Sequence, residues 1–129
     1  MAFSTTPIPD LIVFEPTVWP DARGYFYESY NQRTWEAAGL NPAFVQDNQA
    51  RSTRGVLRGL HYQVGSMAQA KLVRVIEGEV LDVVIDLRPH SPTYGQWYSI
   101  RLSAENKKQL FVPRGFAHGY LVLSETAEF

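Results

Sequence analysis

The stretch Lys71-Leu-Val-Arg-Val-Ile-Glu-Gly-Glu-Val-Leu-Asp-Val-Val-Ile-Asp-Leu87 decides the fold class. Its two halves are short runs rich in Val, Ile and Leu, and such runs suit a pleated surface. Between them Glu77-Gly78 reads as a tight hairpin, with glycine supplying the positive φ that such turns need. Strands over Lys71 to Ile76 and Glu79 to Leu87 are therefore expected to meet as an antiparallel pair.

Working outward, the same signals predict strands at Tyr25 to Tyr30, Phe44 to Gln49, Val56 to Gln63, Gln96 to Leu102, Gln109 to Val112 and His118 to Leu123. Asn31 caps a short helix, Gln32 to Ala38, closed by Gly39 and followed by Pro42. Pro89 to Gly95 is a loop on its turn chemistry. Many short strands and one short N-terminal helix predict an all-β chain, an antiparallel β-sandwich, jelly roll or barrel, as one domain over residues 1–129. Ligands of such folds sit in the barrel mouth.

Composition narrows the functional classes. With 45% hydrophobic and 19% charged residues, the chain can bury a core and is not disordered. The absence of cysteine removes disulfides, thiolate metal sites and cysteine nucleophiles, and fits a cytoplasmic protein. Apolar runs such as Val83-Val84-Ile85 are far too short to span a membrane, and Met1 to Asp10 lacks the parts of a secretion signal. A net charge of −1 argues against a nucleic-acid partner or an acidic membrane. The distribution of charge says more. No acid occurs between Asp47 and Glu77, while Arg51, Arg54, Arg58, Lys71 and Arg74 fall there with His61. Either this segment holds a small anion, or acids elsewhere in the fold neutralise it.

Strand alternation places His61 with Gln63, Lys71 with Val73 and Val75, His118 with Tyr120 and Val122, and Gln46 with Asn48. If those faces turn inward, they form a polar floor in an apolar cup. Either histidine taken alone also reads as a hydrogen-bonded strand residue; an inward lysine is costly without an anionic partner, so Lys71 points to a ligand unless the parity is reversed and it faces solvent. Strict alternation puts Arg58 on the face opposite His61, and a bulge at Gly59 brings both to one side.

Eight ordered blocks, among them Asp21-Ala-Arg-Gly-Tyr-Phe-Tyr-Glu28, Phe44-Val-Gln-Asp-Asn48, Gly55-Val-Leu-Arg-Gly-Leu-His-Tyr-Gln63, Ser91-Pro-Thr-Tyr-Gly95 and Val112-Pro-Arg-Gly-Phe-Ala-His-Gly119, resemble the dTDP-4-dehydrorhamnose 3,5-epimerase family. The resemblance implies a cupin-type jelly roll, a homodimer, and epimerisation of a dTDP-linked 4-keto-6-deoxy sugar at C3 and C5. It assigns His61 as the base, Lys71 to charge on the C4 oxygen, and His118 to the sugar. Arg23 and Arg58 resemble the family's diphosphate contacts, and Glu28, Gln46, Asp47 and Asn48 its nucleotide and sugar contacts, with Phe26 as an apolar wall. The Arg23 to Glu28 strand of that family can serve a partner subunit's pocket.

Metal-dependent cupins are the nearest competitor. Their G-x5-H-x-H motif fits at Gly55 and His61, but Gln63 replaces the second histidine and Lys71 stands where an acid belongs. An ammonium supplies no lone pair and repels a metal, so neither metal nor cofactor is expected. The resemblance further implies that the family's C-terminal section, with the tyrosine acid, an aspartate orienting the base and a base-stacking aromatic, lies beyond Phe129. On that reading two further possibilities stay open: a catalytically impaired module that binds sugar nucleotides, and an interaction module built on the shell alone.

Overall fold

The structure, a computed structural model, describes residues 2–65 and 68–129. Alternation governs its centre. In the eight-residue strand Glu79–Asp86, every second residue (Val80, Asp82, Val84, Asp86) is buried. The remaining side chains point to the other face, as the pleat requires.

Numbered in chain order, one sheet contains β1 (Ala2–Thr5), β2 (Ile12–Glu15), β7 (Lys71–Arg74) and β10 (Gln109–Val112), in the order β1-β2-β10-β7. The other contains β6 (Leu57–His61), β8 (Glu79–Asp86), β9 (Trp97–Ser103) and β11 (Phe116–Val122), in the order β6-β11-β8-β9. All pairs are antiparallel. Val13, Val73, Leu110 and Val112 of the first sheet share a core with Val80, Val84, Leu102 and Val122 of the second. The result is the expected all-β sandwich. Two small ribbons complete it: β3 (Val18–Asp21) with β4 (Gly24–Tyr27), and β5 (Arg51–Thr53) with β12 (Thr126–Glu128).

The single helix of the described residues, α1 (Gln32–Ala37), starts where expected. Asn31 Oδ1 accepts from the Arg33 and Thr34 amides at 3.0 and 3.3 Å, which caps the first turn. A six-residue helix is not stable alone, so packing must hold it. Trp35 does so: fully buried, it meets Phe3, Phe14 and Phe111 at centroid distances of 5.1 to 5.6 Å on the outer face of the first sheet. Among the described residues no helix is long and apolar enough to cross a membrane.

The central hairpin expectation is corrected. β7 pairs with β10 and β8 with β11 and β9, so Glu77-Gly78 is a corner between sheets and not a hairpin turn. Gly78 has φ +83°, and a Cβ there would collide with the Thr126 carbonyl and the Ser124 side chain as β12 passes. A positive φ specifies a sharp change of direction, and both runs bury their apolar faces in one core whichever sheet they join. The strand expected at Phe44 to Gln49 is also absent: residues 41–50 are irregular. The Tyr25 to Tyr30 run is strand only to Tyr27.

At the far end of β8, Asp86 is fully buried and accepts hydrogen bonds from Arg88, Ser91 and Thr93, tying the 88–95 loop to the sheet. Arg88 also reaches the Asp10 carboxylate at 2.8 Å. Burial works to raise the Asp86 carboxyl, but the Arg88, Ser91 and Thr93 hydrogen bonds together outweigh it and hold the group far below its ordinary value of 3.8. The folded carboxyl therefore binds fewer protons than the unfolded one. Its contribution to stability is present above the ordinary value and is lost as pH falls below it. Asp86→Asn is expected to lower stability at neutral pH and to flatten its loss between about pH 5 and about pH 2. Urea unfolding across that range checks this; an unchanged pH slope would refute it.

Candidate active site

The second sheet supplies most of the site. His118, Tyr120 and Val122 alternate onto the inner face of β11, all buried. Across the strand, His118 faces His61 and Tyr120 faces Arg58. Only Gly119 separates the first pair on β11, whereas Gly59 and Leu60 separate them on β6. The extra residue is a β-bulge, and it turns Arg58 and His61 to the same side. The two strands need glycine at this crossing. A Cβ on Gly119 would stand 2.7 Å from the Arg58 carbonyl oxygen, and one on Gly59 would stand 2.7 Å from the Gly119 Cα.

The first sheet contributes Lys71, half-buried at the start of β7, on the same face as the buried Val73 and Val75. A cleft of about 1120 Å³ opens above these strands. Its lining brings together His61, Lys71, His118, Arg58, Gln46, Asp47 and Asn48 of the sequence-derived set. Gln46 Nε2 donates to Asn48 Oδ1 at 3.1 Å, so the expected neighbours meet although their segment is not a strand. Arg74 and Arg114 add positive charge to the lining, and Asp10 adds negative charge beside Asp47. Much of the basic segment thus faces one cavity. Arg51 instead lies 3.4 Å from Glu128 and 3.7 Å from Glu77, neutralised by acids elsewhere.

Three expected residues lie outside this cleft. Arg23 sits on the β3–β4 ribbon with its side chain 91% exposed, bound to the Asp21 carboxylate at 2.7 Å. Phe26 and Glu28 line a separate hollow of about 310 Å³ with Trp19 and Phe14. Trp19 and Phe26 are cross-strand partners, 65% and 71% exposed. The opposite face of β4 is anchored: Tyr25 lies under the Lys107 ammonium at 4.2 Å, and the Tyr27 hydroxyl accepts from Arg74 at 3.2 Å.

One site residue escaped the sequence reading. Asp82, fully buried, lies 2.7 Å through Oδ2 from His118 Nε2. Burial pushes its carboxyl up, against the His118 hydrogen bond and the charges of His118 and Lys71, which pull it down; the net direction is up. Its second oxygen, Oδ1, has no hydrogen-bond partner among the described residues. The signal was available in the β8 alternation, which sets an acid among inward valines. Tyr120, placed with His118 by strand alternation in the sequence, is a second buried polar group: its hydroxyl has no hydrogen-bond partner among the described residues, and Phe129 stacks on its ring at 3.9 Å. Among the described residues, no three His, Cys, Asp or Glu side chains cluster as metal ligands.

A strand-borne imidazole, a second imidazole fixed by a buried carboxylate, and an ammonium in one basin can move a proton and stabilise a developing oxyanion. Residues 5–129 match the family model described as dTDP-4-dehydrorhamnose 3,5-epimerase. The chain is 64% identical to the protein of that name from Pseudomonas aeruginosa over 123 residues, which cover 95% of this chain and 67% of the relative. Identity to the Shigella flexneri protein is 58% over 125 residues, 96% of this chain and 69% of the relative. A crystal structure of the Legionella pneumophila enzyme in complex with dTDP-4-keto-L-rhamnose superposes with a TM-score of 0.94 at 50% identity, covering 98% of this chain and 68% of that one.

Because the folded Asp82 carboxyl has a raised pKa, it binds more protons than its unfolded counterpart above the ordinary value of 3.8. It therefore costs stability as pH rises through that window. Asp82→Asn, which keeps an acceptor for His118, is expected to be more stable than the parent at pH 7 and less so in advantage near pH 4. Thermal unfolding at the two pH values measures this, and a variant less stable at pH 7 would contradict it.

Proposed function

Because the chain belongs to the dTDP-4-dehydrorhamnose 3,5-epimerase family, we propose that its cleft inverts C3 and C5 of dTDP-4-dehydro-6-deoxy-D-glucose, giving dTDP-4-dehydro-L-rhamnose for dTDP-L-rhamnose biosynthesis. The observation that carries this reading is the convergence of His61, Lys71 and His118, with Arg58, on one cavity from three strands.

A proton alpha to a ketone is only modestly acidic, so its removal needs a base and a group that stabilises the enolate oxygen. His61 takes the proton from C3 and the proton from C5. Lys71 faces the C4 oxygen, where its ammonium offsets the developing negative charge. Asp82 fixes the His118 ring, which donates to or accepts from the sugar hydroxyls. Inversion further requires a separate acid on the opposite face to return each proton that His61 removes; proton loss and gain then balance, and the reaction needs no redox cofactor.

The diphosphate falls to Arg58, whose guanidinium fork suits phosphate oxygens. Gln46, Asp47 and Asn48, on irregular backbone at the cleft wall, contact the nucleotide and sugar. Arg23, Phe26 and Glu28, on or beside the β3–β4 ribbon, do not line their own cleft, and Phe26 leaves apolar surface uncovered. In a homodimer that ribbon completes the partner's site. A cytoplasmic location agrees with the cysteine-free composition.

Solvent deuterium incorporation into the substrate, followed by NMR, tests the base. His61→Ala is expected to slow exchange at both carbons by at least about 100-fold; exchange at the parent rate would sink the assignment. Inversion is scored in the same spectra, and exchange without inversion would show proton abstraction uncoupled from redelivery. For the ribbon, Arg23→Ala is expected to weaken dTDP binding about tenfold in calorimetric titration, the usual scale for losing a charged phosphate contact. Undiminished affinity would remove Arg23 from the site.

A further inference from the structure

The cleft arginine is held from behind by a strand that the proposed reaction does not use. Arg58 Nε donates to Ser52 Oγ at 2.8 Å, and Arg58 Nη2 donates to the Arg51 carbonyl at 3.5 Å. A guanidinium has two planar forks: a side edge formed by Nε and Nη2, and an end edge formed by Nη1 and the remaining Nη2 hydrogen. Both contacts fall on the side edge. Only the end edge is left to meet an anion in the cleft.

Ser52 is well placed to enforce this. It is 7% exposed, sits at the centre of β5, and is locked in register opposite Ala127 of β12. β5 is tied down further by the Arg51 contacts to Glu77 and Glu128 and by backbone hydrogen bonds between Ala50 and Phe129. The buried Tyr120, backed by Phe129, is the cross-strand neighbour of Arg58. The guanidinium is therefore held along one edge by β5. A free arginine side chain loses rotamer freedom when a ligand orders it, and one already ordered binds without that loss.

We propose that Ser52 is a positioning residue for phosphate recognition: it fixes the side edge of Arg58 so that the end fork is presented, preformed, to the diphosphate of the nucleotide. The inference rests on the reading of the cleft as a sugar-nucleotide site and adds to it a residue that touches no substrate atom.

The test joins a ligand-free measurement to a binding one. In the parent protein the Arg58 Nε–H resonance, identified by its loss in Arg58→Lys, is expected to be protected from solvent exchange. Ser52→Ala is expected to remove that protection and to weaken dTDP binding about tenfold, while thymidine, which lacks the diphosphate, binds as before. Ser52→Thr, which keeps the hydroxyl, restores both. Protection that survives in Ser52→Ala, or equal weakening of dTDP and thymidine, would overturn the proposal. If the parent binds no dTDP, the sugar-nucleotide reading fails. Ser52 is then judged on the Nε–H signal and on titration with inorganic pyrophosphate, where Ser52→Ala must again bind more weakly than Ser52→Thr.

Discussion

The site depends on a place where two backbones touch. β6 and β11 cross at Gly59 and Gly119 with no room for a Cβ on either. The bulge that this contact permits places two residues of β6 against one of β11. A regular ladder would put Arg58 and His61 on opposite faces, one in the cavity and the other in solvent. With the bulge, one strand delivers both an anion-binding group and an imidazole to the same cavity, opposite Tyr120 and His118. Any side chain larger than hydrogen at the crossing would separate the strands and undo that arrangement.

Charge burial follows from the same geometry. Behind His118 lies the fully buried Asp82, whose carboxyl is raised above its ordinary value by burial although the charges of His118 and Lys71 pull it down. Those two come from different sheets, so the electrostatic balance of the floor depends on how the sandwich is packed. Asp86, four residues along the same strand, shows the opposite outcome of burial. It is surrounded by donors from Arg88, Ser91 and Thr93 and stays ionised. The difference lies in hydrogen-bond supply: every oxygen of Asp86 is satisfied, whereas Asp82 Oδ1 is left without a partner. A closed donor network makes Asp86 a structural clamp.

Alternation and turn chemistry made the fold class, the capped helix and the inward faces of β7 and β11 legible in the sequence. Partner choice was not. The Glu77-Gly78 corner and a hairpin turn demand the same φ, and only the packing of both apolar faces decides which sheet each strand joins. The short strands β1, β2, β3, β5 and β12, of three or four residues each, carry too little periodicity to stand out. The Phe44 to Gln49 run, two apolar residues followed by four polar ones, is held as irregular backbone along the cleft, where Phe44 packs edge-on against Tyr30 at 5.4 Å. In the site, the ionisable groups with unusual spacing were visible, and the residues that hold them were not. Asp82 acts through His118, 36 residues on, and Ser52 through Arg58, six residues on but on another strand, and the three-dimensional register joins each pair.

The β3–β4 ribbon shows how the two halves of the proposed binding apparatus are kept apart in one chain. Its inner face is fastened to the body by Lys107 on Tyr25 and by Arg74 on Tyr27, while its outer face leaves Trp19 and Phe26 uncovered. Arg74 also lines the cleft. A single cation therefore links the wall of one cavity to the ribbon proposed to complete another.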